Sequence, residues 1–161
     1  MIFHYLIAIG TNIEPRLVHV SQSIEAILEI GSITGQAQLL HTAPIGAANQ
    51  PFINTTITLK SSLQPDDMMR ALLKIETKLG RVRSVKWGNR KIDLDIILIK
   101  FNEFYVFGKS KILTVPHPEA EKRLFVLEPA AQIAGDWVLT KKNETVSEIL
   151  EKLKKGPKGP Q

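Results

Sequence analysis

The sequence predicts an α+β protein in which helices pack on an antiparallel β-sheet. Apolar segments of strand length alternate along the chain with segments whose apolar residues recur at helical spacing. Glycine and proline separate these segments and mark where each element ends. With 161 residues, of which 43% are hydrophobic and 23% charged, the chain is long enough for one domain with a proper core.

The first three elements are predicted to be a strand, a helix and a strand. Residues 2–9 are apolar apart from one histidine and form a central strand that Gly10 ends. Apolar residues at helical spacing predict an amphipathic helix over 15–30, and Gly31 stops it. Residues 33–41 form the second strand.

A loop, a strand, a helix and a buried strand follow. The loop at 42–51 contains two prolines and a glycine, and we expect it to carry functional groups because binding residues concentrate on loops. Regular alternation predicts a strand over 52–59. A helix over 65–79 begins at a proline and is followed by a glycine cap. The β-branched residues of 92–99 predict a strand with little exposure on either face.

The C-terminal part predicts smaller elements. A hairpin is expected within 102–113 and a short helix near 129–134. Thr145 and Glu148 form a capping-box pattern before a last helix over 145–154. The order strand–helix–strand–strand–helix–strand matches a ferredoxin-like βαββαβ core, with the hairpin and short helices added after it.

Composition restricts the classes of function. We expect one domain over 1–154 and a basic, disordered tail over 155–161, which consists of lysine, glycine, proline and glutamine. The formal net charge of +5 and the pI near 9.5 favour anionic partners without separating nucleotides from nucleic acid. The chain has no cysteine, no signal-peptide pattern and no apolar run of membrane-spanning length, so we expect a cytoplasmic protein.

Two aspartates interrupt the buried strand. Asp93 and Asp95 are two residues apart, so both carboxylates point to the same side with Cα atoms about 6.5–7 Å apart. Two carboxylates at the edge of an apolar layer repel each other and resist desolvation, so a positive group must lie beside them. That group is either a set of basic side chains, which makes the pair a simple salt-bridge cluster, or a divalent cation.

The segment before this strand is rich in cations. It holds more positive charge than two carboxylates need, together with a tryptophan, and Arg and Lys at this density suit phosphate. Mg²⁺ takes one or two carboxylates and fills its other positions with phosphate oxygens and water. The combination therefore suggests a magnesium–nucleotide site. Its residues are Arg81, Arg83, Lys86, Trp87, Arg90 and Lys91.

Other candidate residues keep two interpretations each. Phe52 and Asn54 share a strand face and would suit a flat heterocycle, or they are a core ring and a capping amide. Glu76 lies off the apolar stripe of its helix and is either solvated or in contact with a bound group. His117 lies between two prolines and either contacts phosphate or stabilises its loop.

Several short motifs occur together and in a specific order. They are Ala8-Ile9-Gly10-Thr11-Asn12, Thr42-Ala43-Pro44-Ile45-Gly46, Gln50-Pro51-Phe52-Ile53-Asn54, Gly80-Arg81-Val82-Arg83, Trp87-Gly88-Asn89-Arg90, Asp93-Leu94-Asp95-Ile96 and Leu113-Thr114-Val115-Pro116-His117. From about residue 5 to residue 130 the chain closely resembles the 6-hydroxymethyl-7,8-dihydropterin pyrophosphokinase family of folate biosynthesis.

The resemblance implies transfer of a pyrophosphoryl group from MgATP to the hydroxymethyl oxygen of the reduced pterin, with release of AMP. Asp93 and Asp95 would hold two Mg²⁺ ions, in agreement with the need for a positive charge beside them. Arg81 and Arg83 would lie on or beside a mobile catalytic loop.

The resemblance also implies two sets of binding residues. Phe52 and Phe125 would sandwich the pterin ring, and Thr42 and Ile45 would contact its edge largely through backbone groups. The ATP set is Glu76, Arg83, Lys86, Trp87, Arg90, Ile96, Thr114, His117 and Arg123, and the pterin set is Thr42, Pro44, Ile45, Phe52, Asn54, Trp87, Asp93 and Phe125.

The chain departs from the family pattern in places. Lys86 stands where an arginine is expected, and the segment from Arg83 to Trp87 looks one residue shorter. Two other functions would use the same fold. A two-metal nucleotidyltransferase or cyclase would use the carboxylate pair, but this function does not explain the residues suited to a flat heterocycle. An RNA-binding module would carry an aromatic signature on a strand, and this chain lacks that signature. We therefore expect small-molecule substrates, no nucleic-acid or membrane partner, and a monomer.

Overall fold

A computed structural model describes residues 1–43, 50–80 and 91–156. Its centre is a twisted antiparallel sheet with strand order β2-β4-β1-β5-β6, and β3 also pairs with β4. The strands are β1 (Phe3–Thr11), β2 (Ser32–Gln36), β3 (Leu40–Thr42), β4 (Phe52–Ser61), β5 (Asp93–Phe101), β6 (Phe104–Tyr105), β7 (Gly108–Lys109) and β8 (Thr114–Val115). The last two form a separate two-stranded ribbon.

Two pairs of helices cover the sheet. They are α1 (Arg16–Ile27), α2 (Pro65–Lys78), α3 (Leu124–Ala134) and α4 (Val146–Lys155). Along the chain the core order is strand, helix, two paired strands, helix and strand, which confirms the predicted α+β arrangement.

The core is divided between the two faces of the sheet. Because side chains alternate along a strand, Tyr5, Ile7 and Ile9 of β1 point to one face, where they pack with residues of α1 and α2. Leu6 points to the opposite face and packs with residues of α3 and α4. Among the described residues, α3 and α4 pack on this second face, which also carries the candidate site at the ends of β1, β4 and β5.

Some predicted elements differ from the structure. The strand expected over 33–41 is two strands, β2 and β3, each paired with β4. The hairpin expected within 102–113 is present but lies further along the chain, since β7 pairs with β8, whereas Phe104–Tyr105 (β6) extends the main sheet. The short helix predicted near 129–134 is the second half of α3, which begins at Leu124. The prediction missed the first half because the apolar residues from Leu124 to Glu128 do not distinguish a helix from a strand.

The last helix confirms its predicted start. The Thr145 hydroxyl accepts the Glu148 N–H at 3.2 Å, and the Glu148 carboxylate accepts the Thr145 N–H at 3.2 Å, which completes the capping box. The helix ends at Lys155, one residue beyond its predicted end. Within the described ranges, none of the helices has the length and apolar character needed to cross a membrane.

Candidate active site

The register of the three central strands builds two rows across the open end of the sheet. Asn54 of β4, Gly10 of β1 and Asp93 of β5 are direct neighbours in one row. Thr56, Ala8 and Asp95 form the next row. Adjacent strands lie about 4.8 Å apart, so the backbones of the outer residues in each row are separated by about 10 Å. Since Gly10 and Ala8 bear little or no side chain, the middle of each row is a shallow trough.

The two aspartates share one face, as predicted. Asp93 and Asp95 are half-buried, while Leu94 between them is 1% exposed and packs in the α1/α2 core on the other face. Both carboxylates therefore lie along the edge of the trough. Within the described parts of the chain, no group of three or more acidic, histidine or cysteine side chains is arranged to hold a metal ion.

A buried glutamate fixes the backbone between the aspartates. Glu76, near the end of α2, is 4% exposed, and its Oε2 accepts the Leu94 N–H at 2.7 Å. The interpretation of Glu76 as a solvated residue is wrong, because the helix turns it toward the start of β5. Sequence reasoning missed this contact because a backbone donor 18 residues away leaves no pattern in side-chain spacing.

The loop before α3 is attached to β5 beside the aspartates. The His117 N–H donates to the Ile97 carbonyl at 2.9 Å, and His117 Nδ1 accepts the Glu119 N–H at 3.1 Å. The proposed loop-stabilising role of His117 is therefore confirmed. Because Nδ1 accepts a hydrogen bond, a neutral imidazole carries its proton on Nε2.

Charged groups of the site influence the pKa of His117. Burial lowers the pKa of the imidazole below its ordinary value, and the Arg123 guanidinium lowers it further. The Asp93 and Glu119 carboxylates raise that pKa, but by less than burial and Arg123 lower it. The imidazole is thus held neutral at neutral pH next to one aspartate and one arginine.

An arginine and a phenylalanine lie at the start of α3. Arg123 is the N-cap residue of the helix, and its Cζ lies 5.6 Å from the centroid of the Phe125 ring. Such a cation–π contact orients the guanidinium, whose planar fork of N–H groups is suited to binding an anion. Phe125 is half-buried and packs against the α3/α4 core, on the same face as the trough.

The other side of the trough is formed by the start of β4. Phe52 and Asn54 point to the trough face, since Ile53 between them packs in the opposite core. Asn12 Nδ2 donates to the Gln50 carbonyl at 3.1 Å, which ties the end of β1 to the segment entering β4. Asn54 is 7% exposed, and its Nδ2 donates to Thr42 Oγ1 at 3.0 Å.

Gly10 lies at the centre of the candidate site, which its sequence pattern does not predict. The sequence predicts that Gly10 ends the first strand, but β1 continues to Thr11 and Gly10 lies between Asn54 and Asp93. A Cβ built on Gly10 would lie 2.9 Å from Asn54 Oδ1, so the amide occupies the space that a side chain would need. A glycine inside a strand pattern signals such a close approach.

The structure does not gather every predicted residue at the trough. Ile96 is 1% exposed and points into the α1/α2 core, so its side chain lies on the opposite face, and Thr114 is exposed on β8. Seven predictions lie outside the described residues, in the segments leading into β4 and β5. They are Pro44, Ile45, Arg81, Arg83, Lys86, Trp87 and Arg90.

The donor set of the trough fits a metal ion that arrives with a phosphate ligand. Two half-buried carboxylates at alternate positions on one strand supply oxygen donors from one side only. Mg²⁺ in nucleotide sites commonly keeps that number of protein ligands, and takes its remaining oxygens from phosphate and water.

Comparison with known proteins gives one consistent result. Residues 6–135 match the model of the family described as 7,8-dihydro-6-hydroxymethylpterin-pyrophosphokinase (HPPK). A 2-amino-4-hydroxy-6-hydroxymethyldihydropteridine pyrophosphokinase of Synechocystis sp. is 33% identical over 150 residues, which cover 92% of this chain and 75% of that protein. The Bacillus subtilis protein of the same name is 37% identical over 130 residues, covering 79% and 75%.

The fold comparison agrees with the sequence comparison. The crystal structure of Plasmodium falciparum HPPK-DHPS with pteroate superposes with a TM-score of 0.71 at 13% identity, over 95% of this chain and 42% of that one. The chain therefore spans less than half of that longer protein, and at this identity the likeness concerns the fold. The family match over most of the chain, together with relatives above 30% identity, shows that the chain belongs to the 7,8-dihydro-6-hydroxymethylpterin-pyrophosphokinase family.

Proposed function

We propose that this protein transfers the β,γ-pyrophosphoryl group of ATP to the hydroxymethyl oxygen of 6-hydroxymethyl-7,8-dihydropterin, giving AMP and the pterin diphosphate. Family membership supports the reaction. The observation that carries it in the structure is the trough, which has carboxylates along one edge and an aromatic ring with a buried amide along the other.

The pterin would lie over Gly10 between the two edges of the trough. Asn54 supports this because a buried amide offers both a donor and an acceptor to the edge of a heterocycle. Phe52 and Phe125 lie on the trough face and supply apolar surface for the ring. The bare backbone at Gly10 leaves the space into which the Asn54 amide oxygen reaches, so the amide can face a ligand at this point of the sheet.

The carboxylate pair would hold two Mg²⁺ ions together with the triphosphate. Asp93 and Asp95 suit this task because they are adjacent on one face, half-buried and fixed by the Glu76 contact to Leu94. Magnesium held by these carboxylates would neutralise the charge of the phosphates and favour attack at the β-phosphorus. Orientation and charge then account for most of the catalysis, since phosphoryl transfer needs little covalent help from the protein.

The remaining phosphate charge would meet the basic groups near α3. Arg123 is oriented by the Phe125 ring, and His117 presents an Nε2–H donor from a loop attached to β5. Arg81, Arg83, Lys86 and Arg90 would add further cations from the segment between α2 and β5. Their contribution to phosphate binding rests on the sequence resemblance.

The experiment is incubation with ATP, Mg²⁺ and the hydroxymethyl pterin, followed by quantification of AMP. We expect one AMP for each pterin consumed, and no AMP when either Mg²⁺ or pterin is omitted. Asp93→Asn and Asp95→Asn should remain folded by circular dichroism but lose turnover, because each substitution removes a charged oxygen ligand. Pyrophosphate release without pterin consumption would instead support a nucleotidyltransferase or cyclase, and near-normal AMP formation by either variant would refute the metal assignment.

A further inference from the structure

The Asn54 side chain spans two neighbouring strands. On one side its Nδ2 donates to Thr42 Oγ1 of β3 at 3.0 Å. On the other side its Oδ1 lies above Gly10 of β1, 2.9 Å from the position that a Cβ on this glycine would occupy. The amide is therefore oriented across the sheet, with its nitrogen toward β3 and its oxygen toward the trough.

We propose that the Thr42 hydroxyl is a positioning residue for pterin recognition, acting through the Asn54 amide. The proposal rests on the proposed function, and it assigns the hydroxyl a role separate from any backbone contact of Thr42 with the pterin. The terminal torsion of asparagine is broad, so an amide without a partner samples many orientations. The hydrogen bond that the amide donates to Thr42 Oγ1 restricts that torsion before the ligand arrives.

The register explains why Thr42 reaches this amide. Thr42 pairs directly with Phe52, and Leu40 pairs with Asn54, so Thr42 and Asn54 are diagonal neighbours on one face of the β3–β4 pair. One N–H of the amide is used by Thr42. Within the described part of the chain, the second N–H and the oxygen have no further partner, which gives one donor and one acceptor for the heterocycle.

Preorganisation predicts a selective loss when the hydroxyl is removed. Thr42→Val keeps the shape and the strand preference of the side chain but lacks the oxygen. Loss of one neutral hydrogen bond corresponds to about 3- to 10-fold weaker pterin binding. ATP binding should be unchanged, because Thr42 lies on the far side of β4 from the carboxylates. Thr42→Ser, which restores an acceptor, should recover most of the pterin affinity.

A matched control exists on the neighbouring edge strand. Thr34 of β2 also bonds a β4 side chain, since its Oγ1 donates to Thr58 Oγ1 at 2.8 Å. Thr34→Val therefore removes a comparable interstrand hydrogen bond away from Gly10, and pterin binding should stay at the wild-type level. Calorimetry with the pterin alone and with a non-hydrolysable ATP analogue alone measures each affinity, and thermal unfolding reports the stability of each variant.

Three results would overturn the inference. If Thr42→Val binds pterin with wild-type affinity, the Thr42 hydroxyl does not orient the Asn54 amide for binding. Equal losses for pterin and nucleotide, or failure of Thr42→Ser to recover binding, would assign the hydroxyl a purely structural role. These results leave the proposed function intact if the wild-type protein forms AMP, whereas a wild-type protein that neither binds pterin nor forms AMP refutes the proposed function and this inference with it.

Discussion

Gly10→Ala tests whether the trough is shaped by the absence of a side chain. The glycine is buried in β1 between Asn54 and Asp93, and its backbone lies outside the left-handed region, so alanine is compatible with its conformation. The added methyl group would lie 2.9 Å from Asn54 Oδ1 and 3.9 Å from Phe52 Cδ1. The contact with the ring is ordinary, so the whole perturbation falls on the amide.

The size of the effect follows from that contact. A carbon–oxygen contact of 2.9 Å is too short, and the amide must move by about 0.4 Å or more to relieve overpacking that costs about 1–3 kcal/mol. Replacing glycine lowers the entropy of the unfolded chain and returns about 0.4–1 kcal/mol. We therefore expect a net loss of about 1 kcal/mol in the free energy of unfolding. Movement of the amide should weaken pterin binding by about 10-fold, which is about 1.4 kcal/mol.

Calorimetry with pterin and urea unfolding measure the two quantities. Gly108→Ala is the matched control, because no described atom lies within 4 Å of its Cβ position and β7 belongs to the separate two-stranded ribbon, not to the sheet that carries the trough. It should leave both pterin affinity and stability near wild type. If Gly10→Ala binds pterin as tightly as the wild-type protein does, the trough is not the pterin site and the reasoning fails.

Three further predictions concern the edges of the site. Glu76→Leu should lower the free energy of unfolding by about 1–3 kcal/mol, because the Leu94 N–H loses its buried acceptor. Glu76→Gln keeps an acceptor and should lose less stability in urea unfolding. Equal losses for the two variants would contradict the role of the contact. Folding lowers the pKa of His117 from its ordinary value of 6.5, so below about pH 6.5 the unfolded protein binds a proton more readily than the folded protein does. The free energy of unfolding of the wild-type protein should therefore fall as the pH drops below about 6.5. His117→Asn keeps an acceptor near the Nδ1 position without titrating, so its urea-unfolding profile should be flatter between pH 7 and about pH 5, and identical profiles would exclude His117 as the cause. Phe125→Ala should weaken binding of the pterin more than binding of ATP, and calorimetry showing the reverse order would place the ring in the nucleotide pocket.

The features that the sequence predicts correctly depend on patterns between residues close together in the chain. The strand period placed Asp93 and Asp95 on one face, and the Thr145–Glu148 spacing placed the start of the last helix. Both inferences depend on residues two or three positions apart, whose relation is set by the backbone geometry of one element. The alternation of strand and helix segments was enough for the α+β class for the same reason.

The contacts that the sequence does not predict depend on how distant strands align with one another. Nothing near Gly10 in the sequence shows that Asn54 and Asp93 flank it, because that relation depends on how three strands align. The contact from Glu76 to Leu94 and that from Asn54 to Thr42 likewise join different elements. Only the glycine itself, inside an apolar strand pattern, offered a local signal that was available and not used.

The fate of the β-phosphorus tests the central claim most directly. ATP labelled at that atom is incubated with the protein, Mg²⁺ and 6-hydroxymethyl-7,8-dihydropterin, and the products are separated. Attack on the β-phosphorus predicts that the label leaves with the pterin as a diphosphate and that unlabelled AMP remains. Label retained in ADP, with a single phosphate on the pterin, would contradict pyrophosphoryl transfer at the Asp93–Asp95 site.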